Sequence, residues 1–202
     1  MMPTSTCANE VRAYYRARLD RYGPSVEALG WTTENQHRRF ALLLDGWDLQ
    51  HAEVLDLGCG RADLAFFLIS QGLPFSYHGI DLVPEFIQSI APAIRSSCEV
   101  GDIETMLLPE CDYAILSGVF NLAATTPEQM QAILCRTSAM CRKGLAFDCL
   151  TTWHPTRVEG QRYYAVEDIV KLALELMPSA VVRMVHHDPL GNLIVQINRK
   201  EG

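Results

Sequence analysis

The chain has seven cysteines but no C-x-x-C pair, and no histidines stand at spacings that would complete a metal set. Neither a zinc site nor a disulfide framework is therefore expected, and the thiols read as buried side chains in a reducing compartment. No apolar run approaches the roughly 20 residues that cross a bilayer. Positive charge is scarce: 17 Lys and Arg stand against 24 Asp and Glu, a formal net charge of -7. That balance argues against a broad grip on nucleic acid, whose affinity comes largely from counterions displaced by clustered cations. Basic spots remain at Arg38-Arg39 and at Arg142-Lys143, the second read as a solvated helix end. The start, Met1-Met2-Pro3-Thr4-Ser5-Thr6, lacks a charged segment followed by an apolar core. No signal peptide and a cytoplasmic location are therefore expected. Internal repeats and low-complexity segments are also lacking, and 202 residues suit one domain with small additions.

The most informative stretch present is Val54-Leu55-Asp56-Leu57-Gly58-Cys59-Gly60-Arg61-Ala62-Asp63-Leu64. Val54, Leu55 and Leu57 suit a strand buried on both faces of a parallel sheet. Gly58 and Gly60 let the chain turn tightly and approach a ligand. Amides at the start of the following helix are expected to point unpaired into that space. The turn lacks the third glycine of G-x-G-x-x-G, whose place is taken by Asp63. A carboxylate there faces a pyrophosphate badly, which disfavours a nicotinamide dinucleotide.

Further strands follow, and acids end two of them. Tyr77 to Leu82 reads as a second strand closing on Asp81, about twenty residues on, where nucleotide folds place a ribose acceptor. Cys98 to Ile103 reads as a third, closing on Asp102, and Asp112 to Gly118 as a fourth. A single strand-end Asp is more often a cap or turn former. Three acids at successive strand ends shift that balance towards a site.

The acidic D-x-G-x-G of Asp56, Gly58 and Gly60, with the strands that follow it in order, resembles the motif series of the class I S-adenosylmethionine (SAM) methyltransferases. The resemblance implies a doubly wound α/β fold with a mostly parallel seven-stranded sheet and an antiparallel last strand, the Rossmann-like methyltransferase fold. It covers roughly residues 33 to 198, which makes 33–202 one SAM-binding domain and 1–32 a short helical addition or lid. It further implies that the cationic amino-acid end of SAM lies near Asp56, Gly58, Cys59 and Gly60, with Cys59 contributing backbone rather than thiol chemistry. Asp81, with Leu82 beside it, would take the ribose hydroxyls, and Asp102 the adenine amino group, with Ile103 as a backbone donor. Ser117 and Trp31 complete the cofactor set.

The remaining elements support this order. Val11, Tyr14, Tyr15 and Leu19 share one side of a short first helix. Thr33 and Gln36 form a capping-box pattern opening a helix with Phe40, Leu43, Leu44 and Trp47 on its packed face. Thr126-Pro127-Glu128-Gln129 is a second such pattern. Strand five runs from Gly144 to Leu150, a helix from about Val166 to Met177, and the runs 180–187 and 192–198 read as a hairpin joined by Asp188-Pro189-Leu190-Gly191.

Methyl transfer from a sulfonium is an in-line displacement in which positioning does most of the work and a base is optional. Segments overhanging the strand ends supply the acceptor-side candidates: Tyr14, Tyr15, Trp31 and His37, then Asn121, then Trp153, His154, Tyr163 and Tyr164 in the long stretch 151–164. Tyr15, Asn121 and His154 are the catalytic candidates, with His154 as base because imidazole titrates near neutrality. His186 and His187 point to opposite faces of a strand and cannot share a metal, so no metal is expected. A D/N-P-P-Y run is missing after strand four, where Ser117-Gly118-Val119-Phe120 stands. The expected activity is methyl transfer to an oxygen or nitrogen of a small molecule, by a monomer or homodimer that binds neither nucleic acid nor membrane. The alternatives are a non-catalytic subunit or scaffold that keeps the fold, and, less favoured, an NAD-dependent oxidoreductase.

Overall fold

A computed structural model of the chain describes residues 6–187 and 191–200. Seven strands form one sheet in the order β3-β2-β1-β4-β5-β7-β6. They are β1 Glu53–Leu57, β2 Ser76–Asp81, β3 Cys98–Val100, β4 Cys111–Leu116, β5 Cys141–Leu150, β6 Val181–His187 and β7 Asn192–Asn198. The first five pair in parallel, and β7 runs antiparallel between β5 and β6. This is the doubly wound, mostly parallel sheet with an antiparallel last strand that the resemblance implies. Strand five begins three residues earlier than its apolar pattern indicates, because Cys141 pairs with Cys111 across a bulge. Most of the turn between β6 and β7, residues 188–190, lies outside the described residues.

The helices are α1 Thr6–Tyr22, α2 Thr33–Leu44, α3 Asp63–Ser70, α4 Pro84–Ser89, α5 Pro92–Arg95, α6 Pro127–Met140 and α7 Val166–Leu176. Pro92 ends the helical run after Ile90, as a ring without an N–H requires. Side-chain alternation along the strands divides the core. Leu55, Leu57, Ala114, Leu116, Leu145, Phe147, Val195 and Ile197 pack with Met130, Ile133 and Leu134 of α6 and Ile169 and Ala173 of α7. Val54, Tyr113, Ile115, Ala146 and Ile194 pack with Phe40, Leu43 and Leu44 of α2 and Leu64 and Leu68 of α3. The second face also carries Asp56, Asp148, Asn192 and Gln196, all buried. Gln196 Nε2 donates to the Leu43 carbonyl at 2.9 Å, so a polar side chain sews β7 to the end of α2.

Three local expectations need correction. The cap of α2 is Thr32, whose hydroxyl accepts from the Asn35 amide at 3.3 Å, so Thr33 is the first helical residue and closes no box with Gln36. Gln36 is instead buried and donates to Asp63 Oδ2 at 3.1 Å, joining α2 to the glycine turn. Arg39 is no surface cation: it is 1% exposed and stands 3.5 Å from the equally buried Asp148. Arg142 and Lys143 lie at the start of β5 rather than on a helix and pair with Glu53, Glu110 and Asp112. The capping box at Thr126 and Gln129 forms as its sequence indicates. No helix of the described residues is long and apolar enough to cross a membrane.

Candidate active site

Parallel strands deliver their last residues to one edge of the sheet, and the chain's acids gather there. Asp56, Asp81 and Asp102 all line one crevice of about 1100 Å³, its open mouth included. Gly58, Cys59, Leu82, Ile103, Ser117, Trp31 and Tyr15 line it too. Gly60 does not. It acts through Asp81, whose Oδ2 accepts the Gly60 amide at 2.7 Å while Oδ1 accepts the Val83 amide at 2.8 Å.

The turn itself is tied into the sheet. The Gly58 and Cys59 amides donate to the Ile80 carbonyl at 2.8 and 3.0 Å, so with the Gly60 amide on Asp81 these donors are consumed within the protein. The turn is bolted to β2, and what it presents to a ligand is acidic. Gly58 adopts φ +76°, and a Cβ there would come within 2.7 Å of Val119 Cγ2, so backbone conformation and space both require glycine.

Burial controls the charge of these acids. Desolvation pushes Asp56 up to about 7, partly offset by the Tyr77 hydroxyl, which donates to Oδ2 at 2.7 Å, and reinforced by the carboxylates of Asp81 and Asp63. Desolvation also pushes Asp81 up to about 6, against the pull of its two amide donors. Asp102 Oδ1 accepts the Glu104 amide at 2.9 Å, while its buried Oδ2 has no hydrogen-bond partner. An orphan acceptor at the end of the third strand is what an amino donor on a ligand would complete. Cys59 faces Cys98, and this thiol contact together with burial raises its pKa, which suits a packed residue rather than a nucleophile.

A second cavity, about 660 Å³ on the same measure, adjoins the first. Tyr15, Leu29, Trp31, Gly118 and Leu122 line both. Asn121 and His154 line the second, so all three catalytic candidates meet there. Main-chain bonds hold this wall in place: Arg162 N donates to the Asn121 carbonyl at 2.9 Å and Ala123 N to the Gly160 carbonyl at 2.9 Å. The long stretch after β5 thereby pairs with the loop after β4.

The base role expected of His154 is not the one its hydrogen bonding supports. The Thr156 amide donates to His154 Nδ1 at 3.1 Å, which engages that lone pair and leaves the proton of the neutral ring on Nε2. The ring is then a donor. Of the other aromatic candidates, Tyr164 donates its hydroxyl to the Phe120 carbonyl at 3.2 Å and Tyr163 braces Val158 and Gln161, so both support the loop instead of lining either cavity. Trp153 is 59% exposed beside His186, and His37 is exposed against Phe67.

Sequence reasoning missed Gln36, Asp63, Glu104 and Thr125, which also line the first cavity. Asp63 was legible only as the missing third glycine. Gln36 was read as a cap because its helix boundary was placed one residue late.

An acid-lined crevice at the carboxyl ends of β1 to β3, beside an aromatic pocket, is the place where doubly wound α/β proteins bind their ligands. The comparisons narrow this. A methyltransferase domain family matches residues 54–144. Putative methyltransferase Rv1506c of Mycobacterium tuberculosis is 30% identical over 119 residues, covering 55% of this chain and 72% of that protein. The magnesium protoporphyrin IX methyltransferase of Synechocystis PCC 6803, solved with SAM bound, shares the fold at a TM-score of 0.70 and 15% identity over 99% of this chain and all of its own. Human N-acetylserotonin methyltransferase in complex with SAM gives a TM-score of 0.69 at 16% identity, covering 99% of this chain and 61% of that one. The chain belongs to the class I SAM-dependent methyltransferases. The Synechocystis enzyme has been solved with S-adenosylmethionine and with S-adenosylhomocysteine bound in this fold.

Proposed function

We propose that this enzyme methylates an oxygen or nitrogen of a small molecule held in the second cavity. The observation that carries the reading is the shared wall. Tyr15, Leu29, Trp31, Gly118 and Leu122 border both cavities, so a donor in the acidic crevice and an acceptor in the aromatic pocket would meet across them.

Bound there, SAM supplies an already activated methyl group on a sulfonium. The chain's own residues bind and orient. Asp81 keeps lone pairs on both oxygens beyond its two amide donors, which suits it to ribose hydroxyls. The unpartnered Asp102 Oδ2 fits an adenine amino group, with Ile103 beside it. Asp56 and Asp63 give the glycine turn the negative character that a cationic amine requires. Tyr15 and Trp31 wall the meeting point, and residues 6–32, with α1 over Val83 and Phe86, cover the crevice as a lid. Holding reactants in line contributes on the order of 7 to 11 kcal/mol, enough to make the binding residues the main catalytic apparatus.

Titration calorimetry with SAM, S-adenosylhomocysteine and NAD tests the cofactor half, with heat expected from the first two alone. Turnover against a panel of uncharged aromatic and amine acceptors tests the rest. Tight SAM binding without turnover on any acceptor would favour a non-catalytic subunit instead.

A further inference from the structure

One polar side chain in the second cavity has none of its hydrogen bonds made. Asn121 is 6% exposed, and neither its Oδ1 nor its Nδ2 has a partner. The backbone around it is fixed, with its own carbonyl accepting from Arg162 N and the preceding Phe120 carbonyl accepting from the Tyr164 hydroxyl. A buried carboxamide on a fixed backbone, with neither its donor nor its acceptor matched, is costly unless a group entering the cavity it borders completes it.

The surroundings say what that something resembles. Trp31 and Tyr15 present aromatic surface, and Leu122 and Leu150 present aliphatic surface, to the same space. Aromatic faces with no Asp, Glu, Lys or Arg among the lining residues select a flat, uncharged ring system. A carboxamide is met in full only by a group that offers a donor and an acceptor side by side. Nucleic-acid readers use the same logic when Asn pairs with two adjacent positions on one edge of a base.

Resting on the methyl-transfer reading above, we propose that the acceptor is an uncharged planar heteroaromatic carrying a lactam-type edge, an N–H next to a C=O. Asn121 reads that edge, accepting from the ring N–H through Oδ1 and donating to the ring carbonyl through Nδ2. It is a specificity residue: it orients the ring so that another atom of it faces the shared wall. A site built to hydrogen-bond such an edge discriminates strongly against an analogue that lacks it, because the buried partners are then left unpaired.

The test uses 2-quinolinone and 1-methyl-2-quinolinone as probes, titrated into protein saturated with S-adenosylhomocysteine. Wild type is expected to bind 2-quinolinone at least tenfold more tightly than its N-methyl analogue. Asn121→Leu is expected to weaken 2-quinolinone at least tenfold while its S-adenosylhomocysteine affinity stays within twofold, which also shows that the variant is folded. Equal affinity for the two probes, binding of neither, or unchanged 2-quinolinone affinity in Asn121→Leu would each overturn the assignment. Absence of S-adenosylhomocysteine binding to wild type would instead overturn the underlying methyl-transfer reading, and the substrate class with it.

Discussion

The guanidinium carbon of Arg39 lies 3.2 Å from the centre of the Trp31 indole, stacked against the residue that walls both cavities. Arg39 Nη1 also faces Asp148 at 3.5 Å, and Asp148 in turn accepts the Gly118 amide at 2.7 Å and the Asn192 side chain at 2.5 Å. Burial lowers the pKa of Arg39 and the Asp148 carboxylate opposes that shift, so the two buried charges are held as a pair. Gly118 packs beside both groups at φ +76°, a backbone conformation that favours glycine, and a Cβ there would make ordinary contact at 3.4 Å with Arg39 Nη1 and 3.5 Å with Trp31 Cζ2. One buried charge thus fixes α2, the ends of β4 and β5, and the aromatic wall of the site.

Removing that charge should be expensive. Arg39→Met strands Asp148 as an unpaired buried carboxylate, and breaking a buried pair from one side typically costs about 3–5 kcal/mol. The double variant Arg39→Met with Asp148→Asn should recover part of the loss, because neither charge is then left alone. Urea denaturation measures both. A loss below about 1 kcal/mol in the single variant would show that the pair is not holding this edge of the sheet.

Asp81 carries two roles that separate by substitution. Its oxygens accept the Gly60 and Val83 amides, so Asp81→Ala should destabilise the apoprotein by about 1–3 kcal/mol in addition to losing cofactor affinity. Asp81→Asn keeps one carbonyl oxygen as an acceptor and should be intermediate in both. In a thermal-shift assay with S-adenosylhomocysteine, a hundredfold excess over the dissociation constant stabilises wild type by about 2.7 kcal/mol. Asp81→Ala should show little of that shift. A full shift would remove Asp81 from the ribose role.

Much of this was legible in the sequence, and what escaped has physical causes. The strands followed from short apolar runs, a glycine turn and the spacing of Asp56, Asp81 and Asp102, because strand identity depends on patterns only a few residues long, and the mostly parallel sheet with its antiparallel last strand followed from the family those motifs resemble. The bonds from the Gly58 and Cys59 amides to the Ile80 carbonyl have no signature in the sequence, since they join residues more than twenty positions apart. Arg39 was taken for a surface residue because its partner, Asp148, is distant in the chain. His154, in the stretch after strand five, borders the second cavity, but the hydrogen bonding of its ring depends on a bond from Thr156 that no residue pattern reveals.

The two raised carboxyls make cofactor binding and apoprotein stability respond to pH in opposite directions. Asp56 and Asp81 hold their protons up to about pH 7 and 6 in the fold, against about 3.9 in an unfolded chain. Between about pH 4 and 7 the native state therefore binds more protons than the unfolded state, and these groups lower apoprotein stability as pH rises through that window, with no further change above it. A cationic amine and ribose hydroxyls favour the ionised acids. S-adenosylhomocysteine affinity should therefore rise from pH 5 to pH 8, by up to roughly tenfold per unit while a required carboxylate is still protonated. Calorimetry across that range checks the sign. Tyr77→Phe removes the hydroxyl that favours ionised Asp56 and should move the upper part of the binding curve to higher pH.

The hydrogen bond from Thr156 separates two roles for His154 by conservative replacement. A base needs an unengaged ring lone pair, whereas the observed bond leaves Nε2 as a donor and Nδ1 as an engaged acceptor. Glutamine can reproduce both functions in part, with its amide nitrogen as donor and its oxygen as acceptor, but it cannot take up a proton near neutrality. If His154 donates to the acceptor molecule, His154→Gln should retain turnover within about tenfold of wild type while His154→Ala falls further, a hydrogen bond from an uncharged group being worth about 0.5–1.5 kcal/mol. If it were the base, Gln and Ala would fall together, by the 10²- to 10⁴-fold that general-base catalysis contributes. Single-turnover rates of the two variants at saturating SAM decide between these outcomes, and a shared loss of a hundredfold or more would restore the base.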